Sequence, residues 1–219
     1  MSTATKAIQV QAPLISKKEK KIIRDGLWDA NPITFQVLGI CSSLAVTTQV
    51  KTAFIMAISL TAVATIANVV ISCIRDFIPN KIRIIVQLTV VSALVISVDQ
   101  ILRAFAFDVS KQLSVFVGLI ITNCIVMGRL EAFAMSNKPW PSFIDGLSNG
   151  LGYSGVLILL GIIREIFGSG TLLGYHVIPQ FLYDHGYTNN GMMVLAPGAF
   201  FLLGGIIWLQ RSISKYSEK

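Results

Sequence analysis

Apolar and polar residues are segregated along this chain into long blocks. Apolar runs extend from Thr52 to Ile74, from Ile82 to Phe107, from about Gly150 to Phe167 and from Met192 to Leu209. A helix needs about 20 apolar residues to span the hydrocarbon of a bilayer. The pattern therefore predicts four long transmembrane helices joined by short polar breaks.

Two further apolar runs are too short to cross a bilayer as regular helices. They extend from Ile33 to Val46 and from Leu113 to Met127, and the first follows Asn31-Pro32, a helix-start signal. At about 1.5 Å per residue, both runs fall short of a hydrocarbon core of roughly 30 Å. The order along the chain is therefore short, long, long, and then short, long, long again.

Other details repeat with this order of runs. Each short run contains one cysteine, Cys41 or Cys124, and the long run after it ends in a similar motif, Ile74-Arg75-Asp76 or Ile163-Arg164-Glu165. A unit of three spans reverses the side from which the next copy enters the membrane. The predicted fold is an all-α integral membrane protein of six transmembrane segments. It is an inverted repeat of three plus three, with short or broken first and fourth segments.

These runs also predict the domain organisation. Residues 1–26 form a basic N-terminal tail, residues 27–211 form a single transmembrane domain, and residues 212–219 form a C-terminal tail. Within the transmembrane domain, the first repeat covers about 32–107 and the second about 112–210. We therefore expect one compact membrane unit without a soluble lobe.

The charge distribution predicts the orientation of the chain. Only 13% of residues are charged and the net charge is +7. The basic residues before the first run are Lys6, Lys17, Lys18, Lys20, Lys21 and Arg24. Basic segments favour the cytoplasmic side and anionic lipid, and the predicted outer loop 165–191 contains no lysine or arginine. Both termini are therefore predicted to be cytoplasmic, and the positive charge indicates membrane lipid rather than nucleic acid as its partner.

The two short runs are the candidate functional site. Non-helical backbone at membrane depth survives only when it is buried in protein or lines a cavity, so both breaks are expected near the bilayer centre, with Cys41 and Cys124 close together. Free cysteines often serve only as small packing residues, which is our interpretation of Cys73. Zinc is disfavoured because no histidine lies nearby, whereas an iron–sulfur centre would need two more ligands from a partner.

Asp99 is a second, weaker candidate. Ionisable side chains inside membranes often mark ion paths. However, Arg103 follows four residues later on the same helix face, so an ion pair near the membrane edge competes with that interpretation. The chain has no glycine-rich nucleotide-binding motif, and we do not expect it to bind NADH or ATP itself.

Four segments resemble one known family. Asp108–Arg129, Asn31–Cys41, Val98–Leu102 and Pro141–Gly146 are similar to the D-type membrane component of bacterial Na+-translocating NADH:quinone oxidoreductases. That component belongs to the Nqr D/E and Rnf A/E membrane-subunit family. The resemblance covers roughly residues 22–210, so it includes both short runs but not the start of the basic extension.

The resemblance implies a subunit of a translocase in the bacterial inner membrane that is inactive alone. The complex passes electrons from NADH to ubiquinone and exports Na+. The family implies a [2Fe–2S] cluster held by Cys41 and Cys124 together with two cysteines of a homologous E-type subunit. NADH, FAD, FMN and riboflavin sites are implied on other members of the six-subunit complex, whose remaining members are the A, B, C and F subunits.

Three alternatives stay open from the sequence. The chain would otherwise be the related membrane subunit of an Rnf-type ferredoxin:NAD oxidoreductase, although Ser110–Val117 and Phe143–Gly146 favour the quinone reductase. A stand-alone inverted-repeat transporter would need neither iron nor partners. A scaffold subunit of the same complex would use its cysteines only for packing.

Overall fold

The computed structural model describes residues 17–79, 81–105, 118–172, 175–176 and 191–213. This part of the chain is mostly helical. The α-helices are α1 (Lys17–Arg24), α2 (Ile40–Val46), α3 (Val50–Ile74), α4 (Arg83–Phe105), α5 (Cys124–Arg129), α6 (Pro139–Ser169), α7 (Gly191–Val194) and α8 (Ala196–Ile213). The other elements are π-helical turns at Asp25–Asp29 and Leu130–Ala134, a 3-10 turn at Arg75–Phe77, and strands β1 (Thr171–Leu172) and β2 (Tyr175–His176).

Four of the described helices are long and apolar enough to span a membrane. They are α3 with the following 3-10 turn, the Arg83–Ile101 part of α4, α6 and α8. Each overlaps one of the four long apolar runs, so the prediction of four long helices is confirmed. Helix α6 has 31 residues, which at 1.5 Å per residue is about 46 Å, longer than a hydrocarbon core of about 30 Å.

The core of the structure is the close packing of α3 against α6. A Cβ atom added to Gly150 would lie 2.7 Å from Thr61 Cγ2. One added to Gly146 would lie 2.8 Å from Thr65 Cα, closer than real Cβ atoms approach. The Thr61 and Ser154 hydroxyls also hydrogen-bond across the interface at 3.1 Å. Small residues and hydroxyls thus bring the two backbones together, as in other membrane helix pairs.

The two helices run antiparallel. At one end, Glu165 Oε2 in α6 accepts a 2.6 Å hydrogen bond from the Val50 backbone N–H, which starts α3. At the other end, Ser72 Oγ near the end of α3 donates to the carbonyl of Asn137, just before α6, at 2.5 Å. The pair therefore forms a rigid frame against which the two short helices are placed.

The N-terminal segment departs from the predicted tail. Helix α1 packs on α6, and Trp140 Nε1 donates to Glu19 Oε1 at 2.9 Å. Farther along, a Cβ atom on Gly152 would collide with the carbonyl oxygen of Gly26. The polar composition does not predict this segment because its helix is stabilised by packing on α6 rather than by its own residues. Residues 1–16 lie outside the described part.

Three other elements differ from the predicted boundaries. Helix α6 begins at Pro139 rather than near Gly150. The hydropathy pattern does not indicate this start because residues 139–149 mix polar and apolar side chains. The last apolar run is divided at Leu195 between α7 and α8. A short antiparallel hairpin, β1–β2, follows α6, where the prediction has only helices and loops.

Candidate functional site

Helix α2 places Cys41 in its first turn. The preceding backbone passes through the left-handed region at Val37 (φ 57°) and at Gly39 (φ 75°), which is the residue before the helix. A β-branched residue in this region is unusual and strained. These two residues turn the chain so that α2 begins with the Cys41 side chain exposed on the surface of the chain.

The turn before α2 is fixed to α6 by Asn31. Its Oδ1 accepts hydrogen bonds from the backbone N–H groups of Ile33 at 3.1 Å and Thr34 at 3.5 Å. Its Nδ2 donates to the carbonyl of Gly152 at 3.1 Å. One buried side chain thus stabilises the non-helical turn and attaches it to the α3–α6 frame.

Helix α5 begins at Cys124, and Asn123 is its N-cap. The Asn123 side chain accepts a hydrogen bond from the Ile125 backbone N–H at 3.1 Å, as an N-cap asparagine commonly does. Cys124 is exposed, whereas Ile125 and Val126 after it are buried. The second short helix therefore presents its cysteine in the same way as the first, at the helix start.

The two helix starts are hydrogen-bonded to each other. Asn123 Nδ2 donates to Ser42 Oγ at 3.0 Å, although the two residues lie 81 positions apart. Ser42 follows Cys41 directly and Asn123 precedes Cys124 directly. Tyr153 of α6 joins the same group, with its hydroxyl 2.8 Å from Ser42 Oγ. The prediction that the two short runs meet is confirmed for the residues beside the cysteines.

Buried polar contacts also hold the far ends of both short helices. In α5, Arg129 donates from Nε to Asp145 Oδ2 at 3.0 Å and from Nη2 to Asp145 Oδ1. At the end of α2, Arg164 Nη1 donates to the Leu44 carbonyl at 3.0 Å and to Thr47 Oγ1 at 2.5 Å. Asp145 and Arg164 are each 1% exposed, so water competes little with these bonds.

The other sequence candidates lie elsewhere. Cys73 is exposed in the last turn of α3, and no described contact joins it to the short helices. Asp99 in α4 is buried and pairs through Oδ2 with Arg103 Nε at 2.9 Å, as the four-residue spacing predicts. Its Oδ1 is buried without a hydrogen-bond partner among the described residues.

The arrangement presents two thiols but not a complete metal cage. Among the described residues, no group of three or more histidine, cysteine or acidic side chains is assembled. Both cysteines lie at helix starts and are exposed, so the two thiols are accessible from outside the chain. The chain can therefore contribute two ligands on its surface to a site that another molecule completes.

Some residues around this site have no simple sequence signal. Ser42 is recognisable only as the neighbour of Cys41, and Tyr153 lies 111 positions away from it. Arg164 carries a usable signal, because a charged residue within an apolar run is expensive and needs a buried partner. Its four hydrogen-bond acceptors nevertheless come from two distant segments, which no local pattern specifies.

The long apolar helices define a membrane protein in which the starts of two short helices are in contact and each exposes a cysteine. A family model described as "Rnf-Nqr subunit, membrane protein" matches residues 19–207, and the chain belongs to that family. It is similar to the D subunit of the Na(+)-translocating NADH-quinone reductase of Pseudoalteromonas atlantica, with 54% identity. The same protein of Photobacterium profundum is 56% identical.

Each of these similarities extends over 198 residues, which is 90% of this chain and 94% of the relative. The corresponding protein of Psychromonas ingrahamii is 54% identical over the same share. The family resemblance found in the sequence is therefore confirmed. The family model includes both Rnf and Nqr subunits, whereas these relatives are all subunits of NADH-quinone reductases, which are translocase complexes.

Proposed function

We propose that this chain is the D-type membrane subunit of a Na+-translocating NADH:ubiquinone reductase. In this proposal it carries electrons across the bacterial inner membrane through a [2Fe–2S] cluster shared with a homologous E-type subunit. The observation that carries the proposal is the hydrogen bond between Asn123 and Ser42, which joins two helix starts that each expose a cysteine. Similarity to the D-type relatives over nine-tenths of the chain supports the choice of complex.

The chemistry of the donor set fits one half of a cluster site. An iron–sulfur cluster takes four protein ligands, usually thiolates, and this chain offers Cys41 and Cys124. Both thiols are exposed on the isolated chain, as ligands at a subunit interface must be. The remaining two ligands would come from the E-type partner, and the NADH, FAD, FMN and riboflavin sites from the A, B, C and F subunits.

The protein's own contribution is placement and insulation. A bound [2Fe–2S] cluster supplies one-electron transfer. The hydrogen bond between Asn123 Nδ2 and Ser42 Oγ holds the starts of α2 and α5 together. Ile125, Val126 and Tyr153 are buried behind them and exclude water from the inner side of the site. Burial and hydrogen bonding are the means by which a protein sets the potential of such a group.

The proposal includes the six-span inverted repeat over 32–107 and 112–210. Two reciprocal contacts support it. Arg164, in the second half, binds the end of α2 in the first half. Arg75, in the first half, donates from Nη1 to the Asn137 carbonyl after α5 at 2.6 Å. Each half thus holds the segment that follows the cysteine of the other half, as a two-fold relation requires.

Na+ export belongs to the proposal at the level of the complex. On this chain, Asp99 stays the weak candidate for the ion path. Its buried, unpartnered Oδ1 favours a ligand role, whereas its ion pair with Arg103 satisfies the other oxygen and favours a structural one.

The decisive experiment replaces each cysteine in the intact complex. We expect Cys41→Ala and Cys124→Ala each to remove one reducible iron–sulfur signal from the electron paramagnetic resonance (EPR) spectrum and to abolish quinone reduction. NADH oxidation by an artificial acceptor should persist, because the NADH site lies on another subunit. Cys73→Ala is the matched control and should retain iron, spectrum and activity.

The opposite result would be equally clear. If Cys41→Ala and Cys124→Ala retain full iron content and quinone reductase activity, the cysteines are packing residues and this chain is a scaffold or an ion path. If the chain transports ions when purified without partners or iron, the stand-alone transporter is the better interpretation.

A further inference from the structure

We propose that Tyr153, Ser42 and Asn123 are positioning residues that hold Cys41 and Cys124 at a fixed separation and thereby set the potential of the group they bind. This inference rests on the proposed function. It assigns a role to three residues that do not themselves touch the group. We refer to these three side chains as the hydroxyl–amide network.

The donors and acceptors of the network can be assigned from its geometry. Ser42 Oγ lies 2.9 Å from the Gly39 carbonyl, which can only accept, so the serine proton is donated there. The same oxygen then has two lone pairs left. One accepts from Asn123 Nδ2 at 3.0 Å and the other accepts from the Tyr153 hydroxyl at 2.8 Å. This single arrangement uses every donor and acceptor site of Ser42.

Burial makes the network strong. Tyr153 is 0% exposed, and Ser42 and Asn123 are each 3% exposed. Hydrogen bonds in such a low-dielectric setting are stronger than in water, and a buried group that loses its partner pays the full cost of desolvation. The three side chains therefore adopt one arrangement rather than exchanging with water.

Asn123 has two separable roles in this network. Its Oδ1 caps α5 by accepting from the Ile125 N–H, and its Nδ2 reaches across to Ser42 in α2. The cap determines where α5 starts, and the amide donor determines how far that start lies from α2. Because each bonded residue is adjacent to a cysteine in the chain, a change in this hydrogen bond is transmitted directly to the separation of Cys41 and Cys124.

Tyr153 links this separation to the rigid frame. Its ring packs against the turn before α2, so that a Cβ atom on Gly39 would lie 3.1 Å from Tyr153 Cε2. Its hydroxyl binds Ser42, and its backbone belongs to α6. The tyrosine thus fixes both helix starts relative to α6, and a partner subunit would meet a preformed pair of ligands.

The test uses two variants that each remove one hydrogen bond. Tyr153→Phe keeps the ring but removes the hydroxyl, and Asn123→Ser keeps a capping oxygen but removes the amide that reaches Ser42. The matched control is Ser154→Ala, which removes a buried hydroxyl of the same helix that bonds to α3 instead. All three are made in the intact complex, and the cluster is followed by EPR redox titration.

We expect both network variants to change the ratio of reduced to oxidised cluster at the wild-type midpoint by roughly three- to tenfold. For a one-electron couple this corresponds to about 30 to 60 mV. Their EPR lines should broaden because the ligand separation becomes less uniform. Amide hydrogens in residues 40–46 and 124–129 should exchange about tenfold faster, a readout that does not depend on activity. Ser42→Thr, which keeps a hydroxyl, should stay near the wild-type potential.

Several results would overturn the inference. Unchanged midpoint and line shape in both network variants would show that the network does not position the ligands. An equal shift in Ser154→Ala would show only a general loss of stability. Loss of the assembled complex in both network variants, with the Ser154→Ala complex intact, would show that the network serves assembly rather than the separation of the ligands. Failure of the proposed function is distinguishable, because Cys41→Ala would then leave the cluster signal in place.

Discussion

Gly39 determines the direction in which α2 leaves its turn, and it does so for two independent reasons. Its φ of 75° lies in the left-handed region that glycine adopts without steric cost. A Cβ atom at this position would also lie 2.6 Å from Ile125 Cδ1, in the other short helix. One residue therefore satisfies both the backbone turn and the close approach of the two cysteine-bearing segments.

We expect Gly39→Ala to destabilise the site and to separate the two short helices. The left-handed conformation and the overpacking against Ile125 together should lower the free energy of unfolding by about 2 to 5 kcal/mol. The measurement is the thermal transition of the purified complex together with its iron content. Gly155→Ala is the control, since a Cβ atom there meets nothing within 4 Å. Equal transitions and equal iron content in the two variants would contradict the assigned role of Gly39.

Arg164 organises three elements at once. Its Nε and Nη2 donate to the carbonyls of Met193 at 3.0 Å and Val194 at 2.5 Å, where α7 ends, and Nη1 binds the end of α2. Helix C-termini leave carbonyl groups without helical partners. A planar guanidinium with five donors can satisfy all four acceptors of Arg164 together, whereas an ammonium group has only three donors.

Arg164→Lys should therefore destabilise the protein more than a charge-conserving substitution usually does. We expect the free energy of unfolding to fall by about 3 kcal/mol or more, because several buried acceptors lose their donor. Hydrogen exchange should accelerate in residues 44–50 and 193–196. Arg75→Lys is the matched comparison and should cost about 1 kcal/mol or less, since the Asn137 carbonyl keeps the hydrogen bond from Ser72. Similar exchange in both variants would contradict the role of Arg164.

Hydropathy predicts helices that are apolar over their whole length. It misses helices of mixed composition that are stabilised by packing on another element. The run Thr52–Ile74 predicts α3 (Val50–Ile74) to within two residues at its start because its whole length is apolar. Helix α1 and the first turns of α6 are not predicted, since they depend on packing against each other. The two cysteines stand out through their matching positions in the short runs. Tyr153 does not, because its partner Ser42 is distant in sequence.

The four long helices in the described part of the chain form an inner pair and two outer helices. More than half of the membrane-spanning windows of α3 and α6 is buried within the chain, whereas those of α4 and α8 are 22% and 17% buried. Apolar surface on α4 and α8 is therefore available to lipid or to other subunits. The central helices α3 and α6 are thus packed within the chain, whereas α4 and α8 expose apolar faces, as expected for one component of a membrane complex.

The two ends of the α3–α6 frame differ in charge. One end carries α1 and the loops before α4 and before α6, and its basic residues are Lys20, Lys21, Arg24, Arg75, Lys81, Arg83, Arg129 and Lys138. The other end, where α3 begins and α6 finishes, has fewer basic residues on the surface: Lys51, and Arg103 in the last turn of α4, which is paired with Asp99. Positive charge marks the cytoplasmic side of membrane proteins. The end that contains Ser136 is therefore predicted to face the cytoplasm and the end that contains Gln49 to face outward.

Cysteine substitution at these two positions tests the orientation. In right-side-out vesicles, a membrane-impermeant maleimide should label Gln49→Cys and should label Ser136→Cys only after the membrane is permeabilised. Inverted vesicles should give the reverse order. The parent chain with its three natural cysteines provides the background. Labelling of Ser136→Cys from the outside would place the basic end of the frame there, and the predicted cytoplasmic location of both termini would then be wrong.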